Sequence, residues 1–249
     1  MTATASPAVA SPDITTQRPG WAAEKLPLDT VPQMFWLRVN KLGDALMMRQ
    51  KDLGLSRGYS WSEVGVMVSE IGAGLVSLGF APGQVISVLA NTCRERVWAD
   101  LAVLSMGGVC NGIYPTDASA QVEFLCLDSS SVFLVVEDDE QLDKYLESRD
   151  RLPQIKQVIV FDMEGLQKLN DPQVMSLEAL RALGRMLLTR QADLVSQRLA
   201  SRQGSDLAVL VYTSGTTGWT KGAMITHANI CAALAGTANA LFKGLPMGS

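Results

Sequence analysis

The sequence predicts an α/β fold, layered around a mostly parallel sheet. From about residue 30 onward, segments of helical period alternate with short β-branched runs. Capping and turn residues fall between these segments. One run, Ala208 to Tyr212, leads straight into a loop of hydroxyl residues and glycines. A length of 249 residues is enough for one large domain or two small ones.

The clearest element begins at Ser60. Ser60 and Glu63 have capping-box spacing, WSEVGVMVSEIGAGLVSLGF carries apolar groups at helical intervals, and Gly79 supplies a C-terminal stop. Pro82 and Gly83 turn the chain into a buried strand from Val85 to Leu89. A helix over Arg94 to Met106 follows, ended by Gly107 and Gly108. The run Val109 to Tyr114 reads as a strand closed by Pro115. Next come a helix over Gln121 to Asp128, a strand over Val132 to Val136, and an acidic, solvated helix over Asp138 to Ser148. Val158 to Phe161 is a further strand. Gly165 to Met175 is a surface loop, and residues 176 to 202 hold one or two helices rich in Arg and Leu. Ala228 to Phe242 is short, Ala-rich and interrupted by Thr237 and Asn239, so it reads as a buried helix of a soluble protein; no run approaches the ~20 apolar residues of a bilayer span.

Composition excludes several classes. Apolar types at 47% and charged types at 18% suit a globular core and rule out a disordered or collagenous chain. A net charge of −4 offers no footprint for a nucleic-acid backbone, so no nucleic-acid partner is expected. Residues 1–20 are mostly small or polar with three prolines, and have neither a basic start nor an apolar core. They read as no secretory signal, and residues 1–29 read as a disordered arm. Cys93, Cys110, Cys126 and Cys231 are scattered, and His227 is the lone histidine, so no zinc site is expected. The thiols read as free packing residues in a reducing, cytoplasmic compartment. Gly72, Gly74 and Gly79 lack the spacing and the strand-to-helix position of a dinucleotide loop and read as close helix packing plus a cap.

Chemistry concentrates in Thr213, Ser214, Gly215, Thr216, Thr217, Gly218 and Lys221. Glycines let backbone N–H groups approach an anion, hydroxyls add hydrogen bonds, and Lys221 brings a mobile positive charge. The spacing is not that of a Walker loop, because two residues separate Gly215 from Gly218 and Lys221 comes three later. AMIT after Gly222 has strand character, so a hairpin-like loop is expected. An ordinary Gly and Thr turn uses the same residue types.

The string YTSGTTGWTKGAMITHAN resembles the phosphate-binding signature of the AMP-forming acyl-CoA synthetase and adenylating-enzyme superfamily. Upstream, YSWSEV, GFAPGQVISVLANTCRE and WADLAVLSMGGVCNGIYPT resemble the N-terminal lobe of bacterial long-chain fatty-acid CoA ligases. The resemblance covers about residues 30 to 242. It implies a ligase that uses ATP with Mg2+ to turn a fatty acid into an acyl-adenylate, then transfers the acyl group to CoA. Thr213, Ser214, Gly215, Thr216, Thr217, Gly218 and Lys221 would hold the β- and γ-phosphates; no catalytic nucleophile and no protein metal ligand is assigned.

The resemblance also implies that residues 30–249 are a partial AMP-binding domain, the incomplete N-terminal large lobe, without the adenine, ribose and hinge motifs or the C-terminal domain. Such a chain is expected to be inactive and marginally soluble alone. Its partners would be fatty acid, ATP and CoA, with peripheral membrane contact through the lipid substrate and an open oligomeric state. The alternative is a non-catalytic module binding a nucleotide or a partner chain.

Three positions depart from the family pattern. Thr220 stands where a proline usually precedes the lysine, which frees φ and loosens the loop on a scale of about 0.4 to 1 kcal/mol. Trp219 takes an often polar place, and Arg96 stands where an aromatic follows Glu95, with packing the expected consequence. His227 is expected to be structural or helix-capping.

Overall fold

The computed structural model describes residues 29–52, 54–213 and 220–242. The expected arm at 1–28 lies outside them. The chain opens with α1 (Val31–Leu42), N-capped by Thr30, and a two-stranded antiparallel hairpin of β1 (Leu46–Asp52) and β2 (Leu55–Ser60). The helix α2 (Trp61–Ser77) starts on the expected capping box: Ser60 Oγ accepts from the Glu63 N–H at 3.2 Å, and Glu63 Oε2 accepts from the Ser60 N–H at 2.7 Å. Each hydrogen bond satisfies a donor left free at a helix start.

Strands and helices then alternate: β3 (Val85–Leu89), α3 (Arg94–Ser105), β4 (Val109–Ile113), α4 (Ser119–Asp128), β5 (Phe133–Val136), α5 (Asp139–Leu146), β6 (Gln157–Val160), β7 (Val174–Ser176), α6 (Leu177–Leu188) and α7 (Leu194–Ala200). The chain returns to the sheet through β8 (Leu207–Thr213) and β9 (Lys221–Thr226) and closes the described region with α8 (His227–Phe242). One seven-stranded sheet results, in the order β7-β6-β5-β3-β4-β8-β9. Every neighbouring pair is parallel except β8 with β9.

The central strands are covered on both faces, which explains why most of their successive positions are apolar. Ile86, Val88, Phe133 and Val135 point into a core shared with α2, α3 and α6, whereas Leu89, Leu134 and Val136 face α4 and α5 through Val122, Leu125, Leu142 and Tyr145. Within the second layer a fully buried polar chain joins β3, β4 and the turn after α4. Ser87 and Ser131 hydroxyls meet at 2.7 Å, Ser131 and Ser129 at 2.7 Å, and Asn111 Nδ2 donates to Ser87 Oγ at 2.9 Å.

Helix α6 lies against α2 at backbone distance. A Cβ on Gly74 would run into the Leu180 carbonyl oxygen, and one on Gly184 into the Glu70 carbonyl oxygen. Beside this contact Glu70 accepts from Arg181 at 2.7 Å and Arg185 at 3.1 Å. Gly74 therefore serves helix packing. Gly72 does so too, with Met106 against it, while Gly79 adopts φ +85° beyond the helix end.

Three expectations need correction. The surface loop from Gly165 to Met175 contains the start of β7, a three-residue strand fixed by parallel pairing to β6. The helix expected to be buried near the end is largely open: Cys231 and Ala235 are covered, but Ala232, Ala233 and Leu234 are exposed. Its Ala-rich side has no packed layer against it among the described residues. Cys93 is only half-buried, at the N-cap of α3, unlike Cys110, Cys126 and Cys231.

Candidate functional site

In a parallel α/β sheet the backbone amides and helix starts converge at the carboxyl edge, where ligands are bound. Strand β8 runs parallel to β4, so Thr213 lies at that edge, and β9 returns antiparallel, so its first residue, Lys221, lies there too. Thr213 and Lys221 are direct cross-strand partners. The expected strand and returning strand are therefore present, paired antiparallel. Ser214, Gly215, Thr216, Thr217, Gly218 and Trp219 lie outside the described residues.

Thr213 and Lys221 are both exposed, and among the described residues no ion-pair partner faces the Lys221 ammonium. An uncompensated cation beside a hydroxyl, at the mouth of a hairpin rich in glycine and threonine, suits an anion. Among the described residues no group of three or more His, Cys, Asp or Glu side chains is arranged to hold a metal ion.

The hairpin rests on α4. Tyr212 Oη donates to Asp128 Oδ2 at 2.6 Å, the Tyr212 ring meets Phe124 edge to face at 6.5 Å, and Gln121 Nε2 donates to Thr220 Oγ1 at 3.4 Å. Gln121, Phe124 and Asp128 are spaced along one helical face. Burial first, and the Asp128 carboxylate second, push the Tyr212 phenol well above its ordinary range, so it remains a donor. Tyr212 pairs across the hairpin with Gly222, whose absent side chain leaves space for the ring; a Cβ there would sit 3.1 Å from Tyr212 Cζ. The sequence singled out Lys221 and the loop, but not Asp128, Phe124 or Gln121, which carry no local signal of this role.

The remaining singled-out residues are structural. Arg96 donates to the Ala90 carbonyl oxygen and lies 3.8 Å from Asp100, a packing role as expected. At the other end of β9, Thr226 caps α8, accepting from the Asn229 N–H at 3.3 Å, so the capping role belongs to Thr226 and not to His227. His227 is 1% exposed, its backbone N–H donates to the Asp206 carbonyl oxygen, and burial holds its imidazole pKa below the ordinary histidine value. Burial pushes the Cys93 and Cys126 thiols up to about 11. No helix of the described residues is long and apolar enough to cross a membrane.

A mostly parallel seven-stranded sheet, with helices packed on both faces of its central strands and an exposed lysine at its carboxyl edge, defines an α/β protein. Residues 35–246 match the AMP-binding enzyme family, and the chain belongs to it. Among curated relatives, the long-chain-fatty-acid CoA ligase ACSBG2 of Xenopus laevis is 30% identical over 205 residues, covering 82% of this chain and 27% of that protein. ACSBG1 of Homo sapiens, another long-chain-fatty-acid CoA ligase, is 26% identical over 201 residues, with 81% and 27% covered. The chain thus spans about a quarter of the length of these relatives.

The fold is shared with solved structures. The anthranilate CoA ligase AuaEII, in complex with anthranoyl-AMP, superposes with a TM-score of 0.63 at 19% identity over 83% of this chain and 36% of that one. VinN, in complex with 3-methylaspartate, gives 0.60 at 20% identity over 86% and 52%.

Proposed function

We propose that this chain supplies the phosphate-binding part of an AMP-forming ligase that activates a long-chain fatty acid. The observation that carries the reading is the pairing of Thr213 with Lys221, which has no ion-pair partner among the described residues, at the carboxyl edge of the sheet, in a family whose curated relatives include long-chain-fatty-acid CoA ligases. Thr213, Ser214, Gly215, Thr216, Thr217, Gly218 and Lys221 bind the β- and γ-phosphates of ATP. Residues 30–249 form the participating part of the AMP-binding domain.

The chemistry in this reading has two displacements. A fatty-acid carboxylate oxygen attacks the α-phosphorus, the bond to the bridging oxygen breaks, and pyrophosphate leaves with an acyl-adenylate formed. The CoA thiol, losing its proton, then attacks the acyl carbon and expels AMP. The loop residues orient the leaving pyrophosphate and offset its growing charge through hydrogen bonds and Lys221, a positioning and electrostatic contribution. Magnesium, when bound with ATP, adds further charge neutralisation to the same oxygens.

Fatty acid, ATP and CoA are the partners, with peripheral membrane contact through the lipid. The four unpaired thiols suit a cytoplasmic setting. The 249 residues alone bind MgATP without completing turnover. Calorimetric titration and fatty-acid-dependent exchange of pyrophosphate into ATP test this. Lys221→Ala should weaken MgATP binding at least tenfold, and unchanged binding would remove the loop assignment. Robust exchange by the isolated chain would overturn its inactivity, whereas MgATP binding without exchange in any longer chain would favour a non-catalytic nucleotide module.

A further inference from the structure

Three contacts, 84 to 99 residues apart in sequence, converge on the base of the loop from a single helix. Asp128 and Phe124 hold Tyr212, the residue just before Thr213; Gln121 holds Thr220, the residue just before Lys221. Both entry and exit of the loop are therefore anchored on α4, and the two anchored residues flank the Thr213–Lys221 pair. The Tyr212 hydroxyl to Asp128 carboxylate hydrogen bond is short at 2.6 Å and charge-assisted, the stronger kind of side-chain link. The Tyr212 ring also lies across Gly222, so the strand that starts with Lys221 is covered by the same side chain that α4 holds.

We propose that Asp128, Tyr212 and Gln121 are positioning residues for triphosphate binding: by gripping the residues on both sides of the loop, α4 fixes where Thr213 and Lys221 stand relative to the phosphates. None of the three touches the nucleotide in this scheme. Gln121 has a specific part. The absence of proline at position 220 leaves φ free there, and the hydrogen bond from Gln121 to the Thr220 hydroxyl restrains the same point from outside. Pre-organisation of this kind acts on affinity, because a loop whose ends are already placed loses less conformational freedom on binding.

The inference rests on the phosphate role assigned to the loop above, so its test separates the two. Binding of MgATP and of inorganic pyrophosphate is measured by calorimetry for the full chain and for Tyr212→Phe, Asp128→Ala, Asp128→Asn and Gln121→Ala. Thermal melting and hydrogen exchange of the segment from 211 to 226 are followed in parallel. Tyr212→Phe and Asp128→Ala should weaken both ligands roughly tenfold, the scale of losing one charge-assisted hydrogen bond. Asp128→Asn, whose amide oxygen still accepts from Tyr212, should restore most of the affinity.

Faster exchange should be confined to residues next to the loop, with the melting temperature held within a few degrees. Thr220→Pro should make affinity indifferent to Gln121→Ala, as expected when two restraints act on one point. Wild-type affinity in Tyr212→Phe and Asp128→Ala, while Lys221→Ala loses it, would overturn the positioning role and leave the loop assignment standing. If Tyr212→Phe or Asp128→Ala melts globally and loses binding only in proportion to the unfolded fraction, the contacts are structural and the inference falls. Indifference of binding to Lys221→Ala as well, with exchange near the loop still rising in Asp128→Ala, would instead refute the phosphate reading.

Discussion

Replacing Gly184 by alanine tests the tightest contact in the fold. The added Cβ would meet the Glu70 carbonyl oxygen and would stand 2.9 Å from the Gly74 backbone nitrogen. Both obstacles are main chain, so no rotamer change relieves them and α6 must move off α2. Overpacking of this kind costs about 1 to 3 kcal/mol, and the bound applies at its upper end because backbone must shift. Alanine returns about 1 kcal/mol of helix propensity. The net loss is about 2 kcal/mol, which for a domain of this size lowers the melting temperature by roughly 4 to 8 °C.

Separation of the helices would also lengthen the hydrogen bonds from Arg181 and Arg185 to Glu70. Gly236 in α8 provides the comparison. Nothing among the described residues lies within 4 Å of a Cβ built there, so Gly236→Ala should leave the melting temperature unchanged or raise it, by up to about 1 kcal/mol in stability. Thermal melting by circular dichroism, with urea titration for the free energy, reads both. A Gly184→Ala protein melting at or above the wild type would refute the close approach of α2 and α6.

Two further outcomes follow from buried titratable groups. His227 is buried with its pKa depressed by desolvation, opposed by Asp206 and reinforced by Arg202; the unfolded chain therefore binds the proton more readily, and stability falls as pH drops below about 6.5. His227→Gln should flatten the urea-measured stability between pH 5 and pH 7, and an unchanged slope would show that this imidazole is not the source. Burial raises all four thiols, and three of them are enclosed, so a thiol reagent at pH 8 should modify none rapidly, with Cys93 first and all four free only in denaturant. A thiol reacting at the rate of a small-molecule thiol in the native protein would contradict that burial.

Legibility in the sequence tracked how local each determinant is. The helix α2 was readable because Ser60, Glu63 and the glycine at its end act within one or two turns. Strands β3 to β6 were readable because burial on both faces keeps most of their positions apolar. The short β7 was not, since three residues gain strand form only from β6, and β1 with β2 was missed because LMMRQKD lacks a period-two apolar pattern. Composition misjudged α8, where an Ala-rich face is apolar yet uncovered among the described residues. At the site, Thr213 and Lys221 were legible from strand, loop and strand. Asp128 and Gln121 were not, because their partners are brought to them only by the sheet order.

The attachment of the loop-bearing hairpin has a kinetic side. Pairing between β8 and β9 joins neighbours in the chain, and it can form early as a local event. Joining that hairpin to the sheet requires Cys110 to find Val209 and Asn111 to find Leu210, two register pairs that close a span of about a hundred residues. A segment that joins the sheet through so few distant pairs is placed late in folding, and its side-chain contacts with α4 are what hold it down in the native state. At this margin of the sheet a bound anion joining Lys221 to Thr213 would slow local opening without altering the interior layers.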